Sequence, residues 1–206
     1  MRVHLLIFFF LLAFSAKAQK LTQDVIAADN IDRIVLSSDE IYRINITTSP
    51  RKEIRIKTNA EGEYFNQISL DTRLERRSLF ISSRYREILQ SGYDKLSAHK
   101  VFSMEVDLEV PQGMLLEITS NLASVYLSGT YDSVLMELRN GSCYLTSFSG
   151  EAVINTYNGN ILGTVNRVNV QAKSRHGNVN VPQVPSGNHN MVLTSINGDI
   201  KITETK

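Results

Sequence analysis

A turn signal recurs at a fixed interval in the last third of the chain. Asn140-Gly141, Asn158-Gly159 and His176-Gly177 follow at 18-residue steps, and Asn197-Gly198 comes 21 residues after the third. One step back from Gly141 lies Ala123, in a segment with the same alternation of apolar and polar residues. A short unit of strands and tight turns cannot bury its apolar face alone. It must stack on the next unit, and repeated stacking makes a solenoid.

Alignment on Ala123, Gly141, Gly159, Gly177 and Gly198 produces columns. Two places after the corner come Val125, Cys143, Ile161, Val179 and Ile200; five places before it come Ile118, Met136, Ile154, Ala172 and Leu193. Apolar columns separated by polar ones on both sides of a turn are what half-buried strands require. An antiparallel meander would use the same Asn-Gly signal, but equal spacing of whole columns favours parallel, in-register stacking. The expected fold is all-β, a single-stranded parallel β-helix with about 18 residues per coil in the C-terminal half. Asparagine, histidine and glycine at the corners suit a turn with positive φ. The three extra residues before the last coil fall in the turn-rich Pro182–Gly187.

The first residues read as an export signal. Met1-Arg2-Val3-His4 is a short basic segment, Leu5 to Phe14 is unbroken apolar sequence, and Ala16-Lys17-Ala18 offers small residues for cleavage after Ala18. The apolar run is too short to span a bilayer, and no cysteine follows the cleavage point to carry a lipid. Residues 19–206 then form one β-solenoid domain. Within it, 19–110 supplies irregular entry coils or a cap, with a loop at 84–100, and 111–206 supplies the regular coils. A separate sandwich-like domain ending near Pro111 is the alternative. Loss of Arg2 and Lys17 turns the formal charge of +1 into −1. That balance argues against a nucleic-acid partner, which would want a basic excess. Cys143 is the only cysteine, so no internal disulfide can form.

An export signal, charged alternating strands, a strand ending in Val110-Pro111 and repeats such as Ser195-Ile196-Asn197-Gly198-Asp199-Ile200 occur here in that order. In this the chain resembles the bacterial putative-adhesin family, also called head-GIN or adhesin-like β-solenoid. The resemblance runs from Ile31 to Lys206. It implies a β-helical fold in an exported envelope protein of unknown function, with no catalytic motif to carry over.

Few residues suggest chemistry. Cys143 stands in an inward apolar column and behaves there as a small hydrophobe. His176 is a corner residue, and His189 has no acidic or cysteine partner at ligand spacing. Asp199 is a single carboxylate in a column otherwise Ser124, Ser142, Asn160 and Asn178, too few charges for calcium. No metal or cofactor is expected. Glu117 and Glu137 are the carboxylates that neighbouring coils would bring nearest, and they read as surface charge.

The outward column Tyr126, Tyr144, Leu162, Asn180 and Lys201 opens with two tyrosines one coil apart, an aromatic strip suited to sugar rings or a partner protein. A neighbouring outward column (Glu117, Leu135, Val153, Gln171, Val192) is partly apolar. The expected function is a non-enzymatic binding or adhesion-type module, in the periplasm or at the cell surface, engaging a glycan or an envelope protein. The alternatives are a polysaccharide-active enzyme on the same scaffold and a structural or assembly protein. The last coil, ending at Lys206, is expected to leave an open strand edge for self-association.

Overall fold

A computed structural model describes residues 19–62, 68–85, 102–182 and 187–205. The proposed export signal, most of the 84–100 loop and residues 183–186 of the bulging loop lie outside them; Arg84 and Tyr85 end a strand. The strands are β1 (Gln19–Ala27), β2 (Arg33–Ser37), β3 (Ile41–Ser49), β4 (Glu53–Gly62), β5 (Ile68–Glu75), β6 (Ser78–Tyr85), β7 (Phe102–Pro111) and β8 (Leu115–Ser120). They continue as β9 (Ser124–Leu138), β10 (Cys143–Thr156), β11 (Ile161–Val165), β12 (Val168–Ser174), β13 (Val179–Asn180), β14 (His189–Ser195) and β15 (Ile200–Glu204). Among the described residues there is no helix, so none is long and apolar enough to cross a membrane.

The all-β class holds, but a uniform parallel β-helix does not describe the result. The fifteen strands form one mixed sheet that does not close on itself. β4 runs antiparallel to both β1 and β7, and β5 antiparallel to β6. From β8 onward every pairing is parallel. The long strands β9 and β10 bend midway, so each contributes to two rows. One row runs β1-β4-β7-β3-β9-β10-β11-β15-β13, and the other runs β5-β6-β2-β8-β9-β10-β14-β12. Inward residues of both rows meet in one buried cluster extending from Ala28 to Ile202.

Register follows the sequence columns: Val125 pairs with Cys143, Cys143 with Ile161, and Met136 with Ile154. The order of layers does not follow the chain. Ile161 pairs with Ile200, and Ile200 in turn with Val179. Likewise Ile154 pairs with Leu193, and Leu193 with Ala172. The last unit, β14–β15, is therefore inserted between β10–β11 and β12–β13. The N-terminal half repeats the device, with β2 between β6 and β8 and β3 between β7 and β9.

Burial records this order. Cys143, Ile161, Ile200, Met191 and Leu193 are sealed, whereas Val170, Ala172 and Val181 are only partly buried and Val179 is 46% exposed. These four belong to the outermost described layer, which among the described residues has a neighbour on one side only. Among the described residues the open C-terminal edge is consequently β12 and β13, and the expected edge on the last coil is corrected: β14 is paired on both sides, and β15 is paired on both sides at Ile200 and Lys201.

The corners also differ from expectation. Among the described residues, positive φ occurs at Arg76, Ser147 and Arg167 and at Gly62, Gly113, Gly129, Gly150 and Gly163, none of them in an Asn-Gly or His-Gly corner. Glycine is needed at the corners for close approach. A Cβ on Gly141 would sit 1.7 Å from the Ala123 carbonyl oxygen, one on Gly159 1.9 Å from that of Gly141, and one on Gly198 2.0 Å from that of Gly159. Backbone rests directly on backbone there, with no room for a side chain.

Candidate binding surfaces

The corner residues Asn140, Asn158 and Asn197 form a ladder across adjacent layers. Asn140 Nδ2 donates to the Asn121 carbonyl at 3.2 Å, Asn158 Nδ2 to Asn140 Oδ1 at 2.9 Å, and Asn197 Nδ2 to Asn158 Oδ1 at 2.8 Å. His176 continues the column through its backbone N–H, which donates to the Ile196 carbonyl at 3.0 Å. A second ladder lies one place beyond the glycines. Asn160 N donates to Ser142 Oγ at 3.0 Å, Asp199 N to Asn160 Oδ1 at 2.8 Å, and Asn178 N to Asp199 Oδ1 at 2.7 Å. Asp199 thus serves as a backbone acceptor between layers. The first ladder links side chain to side chain across layers, and the second completes backbone N–H groups that strand pairing leaves open.

The two perturbed groups of the C-terminal half lie in the core. Cys143 is fully buried, and burial pushes its thiol up to about 12, so it stays protonated and inert. Tyr131 stacks on Phe148 with ring centroids 5.6 Å apart, at the bends of β9 and β10. Its hydroxyl lies 3.0 Å from the Ile46 carbonyl and 2.9 Å from that of Ser128. Burial raises its pKa. The glycines and bends around these rings (Gly129, Ser147, Gly150) carry the left-handed φ that lets both strands turn from one row to the other. Sequence columns centred on the Asn-Gly corners miss this second set of turns.

Tyr126 and Tyr144 pair in register, and their rings stack at 4.5 Å with an interplanar angle of 12°. Arg43 reaches from β3 on the opposite side and places its guanidinium carbon 4.4 Å from the Tyr126 centroid. The ring of Tyr126 is therefore sandwiched, and the pair presents ring edges and hydroxyls outward where a flat strip is expected. Layer insertion also reorders the rest of the column to Tyr144, Leu162, Lys201, Asn180.

On the other row the partly apolar column becomes Glu117, Leu135, Val153, Val192, Gln171. Leu135, Val153 and Val192 now stand side by side, 41%, 40% and 41% exposed. Glu117 pairs with Leu135 while Glu137 pairs with Thr119, so the two carboxylates sit on adjacent strands in different columns. His189, which has no acid nearby in sequence, lies with Nδ1 3.6 Å from Glu151 Oε1.

Beside that apolar column runs a groove of about 870 Å³. Its floor is the outward column Thr119, Glu137, Asn155 and Thr194, one residue from each of β8, β9, β10 and β14. Its wall is built by the corner residues Arg139, Tyr157 and Ile196. Tyr157 is 55% exposed. Its place directly before the Asn158-Gly159 pair gives it no signal in the sequence beyond that of a turn residue.

No family model matches the chain, and no curated protein matches it significantly. Among solved structures it is similar to a "putative cell adhesion protein" from Clostridium sporogenes, at 13% identity and a TM-score of 0.63, over 91% of this chain and all of that one. That similarity concerns the fold. "Putative adhesin" structures from Bacteroides fragilis (10% identity, 89% of this chain and 97% of the other, TM-score 0.34) and Parabacteroides distasonis (11%, 90% and 97%, 0.31) also match, at scores too low to add to it.

Proposed function

We propose that this chain is an exported, non-catalytic binding module of the adhesion type, working in the periplasm or at the cell surface on a glycan or another envelope protein. One observation carries the reading. The stack offers long outward columns with a groove of about 870 Å³ on that surface, while Cys143 and Tyr131, the groups with strongly shifted pKa among the described residues, are sealed in the core. Rigid surfaces bind at low ordering cost. A hydrolase needs two carboxylates flanking one bond, and of Glu117 and Glu137 only Glu137 lines the groove. The basic segment, apolar run and Ala16-Lys17-Ala18 support export.

The test is incubation of the purified protein with envelope and host polysaccharides, with retained and released sugars both quantified. Retention without cleavage supports the module. Release of oligosaccharides, abolished by Glu137→Gln, overturns it in favour of an enzyme.

The open edge of β12 favours a second reading, in which an envelope protein or a second copy adds a strand there. A solution mass that rises with concentration, or a crosslink to residues 168–174, would support it.

A further inference from the structure

We propose that the groove beneath the asparagine corners is a saccharide site, taking a short stretch of a neutral glycan laid along the stacking direction with Tyr157 against one sugar ring. This deepens, and rests on, the binding-module reading. The first reason is the commitment of the lining groups. Asn140, Asn158 and Thr156 also line the groove, but the two asparagine side chains are used in bonds between layers, and Thr156 Oγ1 donates to the Gly159 carbonyl of its own corner. The side chains of Glu137, Arg139 and Asn155 have no hydrogen-bond or ion-pair partner among the described residues. An acceptor, a forked donor and an amide thus face one cavity, held on a framework that needs none of them for its own integrity.

The second reason is Tyr157. Tyr126 and Tyr144 cover each other, and Tyr131 is covered by Phe148, yet Tyr157 has no ring or cation partner among the described residues. It is more than half exposed, although its backbone is pinned from both sides, N–H to the Leu138 carbonyl at 2.9 Å and carbonyl to the Asn197 N–H at 2.8 Å. An aromatic ring on a rigid mount is what the apolar C–H face of a pyranose stacks on, while the hydroxyl rim seeks mixed donors and acceptors such as Glu137, Arg139 and Asn155.

Charge and dimensions narrow the ligand. The lining carries one acid, Glu137, and one base, Arg139, so it favours a neutral sugar over a uronate or sulfated chain. Four strands at ~4.8 Å give a floor of roughly 14 Å, long enough for an oligosaccharide and longer than one sugar. The volume of about 870 Å³ falls within the usual range of ligand sites, about 300–1,000 Å³.

The experiment is an array of neutral, uronate and sulfated oligosaccharides probed with the purified wild-type protein, Tyr157→Ala, Glu137→Gln and Tyr126→Ala. Urea midpoints are measured in parallel to check folding. The expected result is binding of at least one neutral oligosaccharide, weakened tenfold or more by Tyr157→Ala and severalfold by Glu137→Gln, with Tyr126→Ala unchanged. Binding that survives Tyr157→Ala and Glu137→Gln overturns the groove assignment and leaves the module reading intact. Binding of acidic glycans alone, or of none, overturns the saccharide assignment, and crosslinking to an envelope protein then decides the broader reading.

Discussion

Gly159→Ala tests whether close approach at the corners holds the stack together. The new methyl would lie 1.9 Å from the Gly141 carbonyl oxygen and 2.7 Å from its carbon. Both are backbone atoms, so no rotamer relieves the clash, and the layers must part by more than about 1 Å to reach ordinary contact. Parting strains the bonds that cross there: Asn158 N to the Arg139 carbonyl (2.7 Å), Cys143 N to the Asn160 carbonyl (2.8 Å) and Asn158 Nδ2 to Asn140 Oδ1 (2.9 Å). Overpacking costs about 1–3 kcal/mol, and weakening two such bonds adds about 1 kcal/mol each. We expect a loss of about 3–5 kcal/mol. Urea unfolding followed by circular dichroism should show the midpoint falling by more than 1 M with the slope unchanged, for a slope of about 2–3 kcal/mol/M. Gly159→Asn separates the causes. Were left-handed φ the reason for glycine, asparagine would recover part of the loss; close approach makes it at least as harmful as alanine. A Gly159→Ala variant within 0.5 kcal/mol of wild type, or a clear recovery with asparagine, would refute the reasoning.

Other consequences can be measured separately. Because burial raises the Cys143 thiol from about 9 to about 12, stability should be intact below pH 9 and decline as pH rises towards 12. Cys143→Ala should flatten the first part of that decline in unfolding curves taken from pH 8 to 11, though it also costs some packing. Tyr131→Phe should cost about 1 kcal/mol at neutral pH by removing the hydroxyl that reaches the Ile46 and Ser128 carbonyls, and should soften the decline above pH 10. A double-mutant cycle on Tyr126→Ala and Tyr144→Ala should return a coupling of about 0.5–1.5 kcal/mol from the stacked rings; zero coupling would contradict the stack. Hydrogen exchange should protect the amides of β15 as well as those of β11, since both are interior. Truncation after residue 187 should deprotect β12, which loses β14, its only strand partner among the described residues.

The repeat was the most legible part of the chain. Parallel register within the C-terminal half follows from it, because a period-2 strand slipped by one residue would turn every apolar column to solvent. Val125, Cys143 and Ile161 therefore align as their spacing predicts. The burial of Cys143 was legible for the same reason. The groove was half legible: Glu137 stands out as a carboxylate, but its neighbours Asn155 and Tyr157 gain meaning only as members of one surface.

What sequence alone determined here is the all-β character, the inward columns and the corner positions, since these depend on the local alternation of side chains and on glycine. The tertiary structure decided which layer touches which. The columns of the units at Gly177 and Gly198 are nearly interchangeable, so either unit could follow the one at Gly159, and spacing cannot rank them. The choice falls to whole-layer burial. Met191, Leu193, Ile200 and Ile202 fill the interior place with large side chains, whereas Val170, Ala172, Val179 and Val181 are smaller and lose less when left half exposed at the end.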